Sequence, residues 1–298
     1  MPQTARPNPS REKQVAERLP YARLVDDITV ETRDARLMQV MRLRGLPFET
    51  ADTDELNYRK TVRETMLRAI ADPRFAIYHH IVRRTTQPAH EGVFDDAFSR
   101  DLDQAWRTRL SQRSLFVNEL YLTLIRRPLQ GQVGFLEGMV QTLRGAGDAQ
   151  EAAPARAREL AALNGARNTL LAALAPYGAE TLGLVADPRG GVSEPLAFLS
   201  LLVNGAARPV RPPAGDMGRA LPWRRVSFGA DAFELSAAGS ARRVLGAMLS
   251  VKDYPPHTTP GMLDDVLRLP IEMVLTQSYA FVDRQNALDR MNVAARRM

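Results

Sequence analysis

The chain has 298 residues, 45% of them hydrophobic and 25% charged, enough to bury a substantial core in one large or two moderate domains. It has no cysteine, which excludes disulfides, thiolate metal sites and thiol catalysis. The formal charge is +6 and arginine supplies nearly all the positive charge, Lys13, Lys60 and Lys252 being the only lysines. Such a surface suits nucleic acid, anionic lipid or an acidic protein partner, but the arginines lie scattered among Asp and Glu, as arginine-rich codon usage alone produces.

The N-terminus has no apolar core of about 7–15 residues behind its charges, and no apolar run approaches the ~20 residues that span a bilayer. The expectation is a cytoplasmic protein. Residues 1–20 are polar and proline-bearing and read as a flexible arm. Residues 28–43, ITVETRDARLMQVMRL, read as a hairpin turning at Arg33-Asp34-Ala35, where a positive φ would favour Gly over Ala35. Residues 50–73 read as a helix capped by Asp52 or Thr53, with Leu56, Val62, Met66, Leu67 and Ile70 as its buried stripe, ended by Asp72-Pro73. RFAIYHHIVRR is a strand with two largely apolar faces. Phe94, Phe98, Leu102, Trp106 and Leu110 recur every four residues and make a second helix, and SLFVNELYLTLIRRP is the next strand.

Residues 129–155 are rich in glycine and read as a linker. A long helix carrying Leu160, Leu163, Leu170, Leu171 and Leu174 follows, up to a stop at Pro176-Tyr177-Gly178. Ser193 caps a shorter helix that Asn204-Gly205 ends. Strands are expected around WRRVSF, AFELS and RRVLGAMLSV, then a short helix after Thr259-Pro260, the strand IEMVLTQSYAFV and a last amphipathic helix from Asp283. That helix reaches Met298 with no Gly, Asn or Pro stop, so it is expected to run on into a further domain. The fold class is α+β: mixed sheets with ferredoxin-like βαβ packing and a helical insertion, and no RecA-like motor. The expected organisation is an arm at 1–20, an α/β subdomain at 21–128, a linker and helical insertion at 129–222, and a second α/β subdomain at 223–298.

No constellation points to chemistry. His79 and His80 are adjacent on a strand and face opposite ways, and His90 and His257 stand alone in loop sequence, so no metal site is expected. The acidic pairs Asp26-Asp27, Asp95-Asp96, Asp101 with Asp103, and Asp264-Asp265 suit helix capping and charge balance better than acid/base work. The glycine-bearing stretches RGAGDAQ, DPRGGVSEP and PAGDMGRALP lack the Gly-Lys-Ser/Thr ending of a phosphate loop. Catalytic, cofactor-binding and metal residues are therefore expected to be none.

The blocks ETADTDELNYRKTVRETMLRAI, FAIYHHIVRR, LFVNELYLTLIRRPLQG, APYGAE, SEPLAFLSLLVNG, RRVSFG and KDYPPHTTPGMLDDVLRLPIEMVLTQSYAFVDRQNALDRM run in one register from about Pro20 to Met298. Together they resemble the N-terminal region of the VirB-type ATPases of type IV secretion and conjugal transfer, the CagE, TrbE and VirB group; Ala35 departs from that group's hairpin glycine. The resemblance implies an assembly and docking domain, peripheral to the inner membrane, that contacts inner-membrane secretion components, copies of itself and a following C-terminal ATPase domain. ATP and Mg²⁺ would then belong to that domain. The rival readings are an arginine-rich nucleic-acid-binding module, built on pairs such as Arg83-Arg84, Arg126-Arg127 and Arg296-Arg297, and a metal-free hydrolase using one acidic pair.

Overall fold

The computed structural model describes residues 14–46, 51–87, 92–127, 149–188, 190–241, 243–251, 256–257, 262, 264–282 and 284–295. Its main sheet is antiparallel throughout. β1 (Tyr21–Leu24), β2 (Thr29–Thr32), β3 (Leu37–Leu43), β4 (Phe75–Thr86), β5 (Leu115–Arg126) and β12 (Met273–Ala280) lie in the order β1-β2-β3-β5-β4-β12. The two-residue strand β6 (Glu180–Thr181) takes over beside β3 where β2 ends, pairing with Met41 and Arg42. β5 lies between β3 and β4, so α2 (Thr53–Ala69) crosses from β3 to a parallel β4 in the expected split βαβ unit.

β3 is apolar on both sides, and the chain covers both. On one face Leu37, Met41, Ile77, Leu122 and Leu124 pack with Met66 and Ile70 of α2 and with Leu163, Ala166 and Leu170 of α4 (Ala149–Ala173). On the other, Val30, Met38, Val40, Val82 and Tyr121 pack with Leu196, Phe198 and Leu199 of α5 (Glu194–Asn204) and with Met217 and Leu221. Each fully buried leucine contributes roughly 1.5–3 kcal/mol. The helix placed in an insertion by sequence, α4, is thus a core element: Leu163 and Leu170 are sealed from solvent, and Glu159 pairs with Arg74 and Arg126 where β4 begins and β5 ends. Of the linker expected at 129–155, residues 129–148 lie outside the described residues, and 149–155 are the first turns of α4 instead.

Local signals set the ends of these elements. Asp52 Oδ1 accepts from Glu55 N at 2.7 Å to start α2, whose last turns bury Met66 and Ile70 while Leu56, expected in the stripe, stays exposed. Gly178 (φ 61°) and Gly205 (φ 64°) adopt the left-handed conformation after α4 and α5, as the glycine stops predict. The β2–β3 turn forms at Arg33-Asp34-Ala35, and Ala35 takes φ 59°, the one positive φ outside glycine among the described residues. Of the expected arm, residues 1–13 lie outside the described residues. Residues 15–18 form a helical turn, α1 (Val15–Arg18), which is no free arm: Arg33 holds it, donating to the carbonyls of Ala16 and Leu19, while also pairing with Asp216.

A second, three-stranded sheet holds β9 (Arg224–Phe228), β10 (Phe233–Ala237) and β11 (Arg243–Gly246). β7 (Leu184–Val185) and β8 (Val192–Ser193) pair ahead of α5, and α6 (Met217–Ala220) leads into β9. The joint between the sheets is Asn204. Its Nδ2 donates to Ser200 O (2.7 Å), Ser200 Oγ (3.1 Å) and Leu221 O (3.0 Å), and its Oδ1 accepts from Trp223 N (2.9 Å) and Arg224 N (3.0 Å). After α7 (Asp264–Arg268), the chain returns to the main sheet as β12 before α8 (Arg284–Ala295). Sequence placed β12 in the second subdomain; eight unbroken pairs along β4 make it an edge of the first sheet.

Candidate docking surface

β4 and β5 are twelve residues each and outrun the sheet: as strands, Arg84–Thr86 and Leu115–Val117 have only one another among the described residues, and Thr85 N donates to the Glu272 side chain at 2.9 Å. The resulting ribbon is braced by side chains. Arg83 lies over the Phe116 ring at 4.4 Å and donates to Asn118, while Arg84 pairs with Glu119. This ribbon carries α3 (Ala97–Ser111), started by Asp96, whose Oδ1 accepts from Ser99 N at 2.7 Å. Bonding to Ser99 holds the Asp96 carboxyl below its usual range.

The helix predicted from four-residue spacing is present, but it buries no side chain. Phe98, Leu102 and Trp106 keep 76%, 60% and 58% of their surface in solvent, and Val93 just ahead keeps 97%. Beside them Asp103 pairs with Arg107, so the helix is apolar on one flank and charge-balanced on another. Covering the three large side chains would release roughly 1.5–3 kcal/mol each. Exposed apolar patches of this kind are candidate contact surfaces. The spacing in the sequence gave the stripe but not its exposure, because a helix facing a core and one awaiting a partner share the same period.

The other singled-out residues have structural places. His80 is buried, with Nδ1 3.0 Å from Thr276 Oγ1 and Nε2 3.2 Å from Thr123 Oγ1; burial, then the neighbouring His79, pulls its pKa down to about 4. His79 turns the other way toward Gln277, His257 is exposed, and His90 lies outside the described residues. Asp26 Oδ1 accepts from Ile28 N and Thr29 N in the β1–β2 turn, and Asp265 pairs with Arg268. Among the described residues there is no cluster of His, Asp or Glu fit to hold a metal ion. In DPRGGVSEP, Ser193 Oγ caps α5, Glu194 accepts from Gly183 N, and Asp187 pairs with Arg211. In PAGDMGRALP, Asp216 occupies the start of α6, accepting from Gly218 N at 2.9 Å and from Arg33. Protein carboxylates thus sit where a phosphate loop would keep its amides for a ligand. RGAGDAQ lies outside the described residues up to its last two, which open α4.

Of the arginine pairs, Arg83, Arg84 and Arg126 are engaged. Arg126 reaches Glu159 and Asp72 and lies over Phe75 at 4.6 Å. Arg296 and Arg297 lie outside the described residues.

Residues 28–133, from β2 through α3 and the end of β5, match the family described as type IV secretion system ATPase VirB4/TrbE, N-terminal domain. Residues 180–298 match the family described as CagE, TrbE, VirB family, component of type IV transporter system. The chain carries a VirB4/TrbE N-terminal domain and a CagE/TrbE/VirB domain. It is 31% identical over 280 residues to the type IV secretion system protein virB4 of Bartonella henselae, covering 93% of this chain and 35% of that protein. It is 31% identical over 284 residues to virB4 of Brucella suis, with 93% and 34% covered, and 30% identical over 281 residues to the protein PtlC of Bordetella pertussis, with 93% and 33% covered. The chain thus spans about a third of the length of these curated relatives. The two family matches flank α4, which joins them by packing on the sheet. Among the described residues no helix is long and apolar enough to cross a membrane.

Proposed function

We propose that this chain is the assembly end of a type IV secretion ATPase, docking on inner-membrane protein components of the secretion apparatus through α3. ATP and Mg²⁺ are then the business of a motor region in the longer protein, and these residues transmit position, not chemistry. The observation that carries the reading is the solvent-facing Phe98, Leu102 and Trp106 on a helix that contributes nothing to the core. The family match supports the setting, since the relatives are named as secretion-system proteins. The nucleic-acid reading loses ground because so many arginines, Arg23, Arg33, Arg42, Arg74, Arg84, Arg126 and Arg156 among them, already face carboxylates.

The test is co-isolation in detergent with the inner-membrane proteins encoded beside this chain, using Leu102→Asp/Trp106→Asp alongside the unaltered protein. Association should fall at least tenfold in the double variant while thermal unfolding stays unchanged, because neither side chain is buried. Retained association in the variant, or none in the unaltered protein, overturns the reading. The purified chain should also show no Mg²⁺-dependent ATP turnover above blank.

A further inference from the structure

An unpaired strand edge is a template for another strand, and chains normally blunt such edges with charge, proline, bulges or brevity. Three edges here follow that rule. β1 is four residues long, follows Pro20, is irregular between Tyr21 and Arg23, and carries Arg23 paired with Glu31. β9 presents Arg224 and Arg225, and β11 has four residues beginning with Arg243.

β12 breaks the rule. Met273–Ala280, MVLTQSYA, has eight residues with no charge, no Pro and no Gly, and it runs in uninterrupted register along β4. Among the described residues β4 is its only partner, and Val274 and Tyr279 keep 43% and 45% of their surface exposed. Thr276 bonds to His80, so Val274, Thr276 and Ser278 share one face of the sheet, and Met273, Leu275, Gln277 and Tyr279 share the other.

We infer that β12 is the contact between two copies of this chain, pairing antiparallel with itself about a two-fold axis to make one sheet continuous across both. A two-fold sets each residue against its own copy or a near neighbour, so any charge on the strand would meet its like. β12 brings none. Centred on Gln277, the pairing sets Leu275 against Tyr279 and Thr276 against Ser278; centred on Thr276, it sets Val274 against Ser278 and Met273 against Tyr279. Both registers match apolar or small polar groups on each face. A second β12 therefore meets no repulsion there, whereas β1, β9 or β11 would bring arginine to a strand that has no carboxylate between Met273 and Ala280.

The inference does not rest on docking through α3, and it is tested on the chain alone. The absence of cysteine makes single-cysteine variants clean. Opposed Cα atoms in antiparallel pairs lie about 4.5–5.5 Å apart, within disulfide reach. Thr276→Cys or Gln277→Cys should give a covalent dimer on mild oxidation, and Arg23→Cys on β1 should not. Sedimentation across a concentration series should show a monomer–dimer equilibrium that Val274→Lys/Ser278→Lys shifts at least tenfold toward a monomer with unchanged circular dichroism. A monomer at every concentration, a dimer untouched by the lysines, or equal cross-linking at Arg23→Cys would each overturn it.

Discussion

Replacing Asn204 by Ala removes the joint between the two sheets without touching either core. Asn204 Oδ1 is the acceptor for the amides of both Trp223 and Arg224, so both donors lose their partner in the variant. Leu221 O keeps its bond from Ser200 Oγ at 3.0 Å, so the loss falls mainly on the two amides. A stranded donor costs about 1–3 kcal/mol, and the two share one oxygen at a half-buried site, which puts the pair at about 3 kcal/mol. That is roughly a 150-fold drop in the folded-to-unfolded ratio. The chain has two tryptophans, Trp106 and Trp223. In a Trp106→Phe background, urea unfolding followed by fluorescence reads Trp223 alone, at the joint itself. Asn204→Asp keeps an acceptor for the amides but buries a carboxylate oxygen against Ser200 O and Leu221 O, so it should lose at least as much. A destabilisation below about 1 kcal/mol in Asn204→Ala would show that water takes over the side chain's role, and the joint would have to be sought elsewhere.

Leu170→Ala should cost about 2–5 kcal/mol of unfolding free energy in a urea titration, the range for a sealed leucine, and a loss near zero would remove α4 from the core. Ala35→Gly relieves a left-handed alanine worth about 1–2 kcal/mol and adds about 0.5–1 kcal/mol of unfolded-state entropy, for a net gain of about 0.5–1 kcal/mol; a loss of stability would contradict the strain. His80 has a folded pKa of about 4, below the unfolded value near 6.5, so the unfolded chain binds its proton first. Its contribution is whole above about pH 6.5 and is lost as pH falls toward 4. Roughly 2 kcal/mol should go between about pH 6.5 and about pH 5, and His80→Gln should flatten that slope. Burial raises the Glu159 carboxyl, but Arg74 and Arg126 together hold it below its ordinary range. Stability from that cluster should therefore be present above the usual carboxylate pKa and fail on further acidification, a fall that Glu159→Gln removes.

What the sequence made legible was local. Asp52, Ser193, Gly178 and Gly205 end their helices where expected because a cap is a contact between residues a few positions apart. The turn at Ala35 was foreseen too, strain included. Less visible was anything that depends on distant residues. α4 carries the leucine spacing of any amphipathic helix, and nothing in it says that Leu163 and Leu170 meet Met41 and Leu124. Asn204 was legible as a stop and not as a hub, since its partners at 221–224 follow a proline-rich connection. The α3 stripe reads the same buried or bare, so only the fold shows it facing out.

β12 has a further consequence for how the protein is made. The bond between His80 and Thr276 joins residues 196 positions apart, so β4 leaves the ribosome long before the strand that completes it. At about 5–20 residues per second, that interval lasts on the order of 10–40 s. During translation the nascent sheet stands open along β4, and a chaperone or a slow-codon tract acting in that interval would govern how much polypeptide reaches its native state.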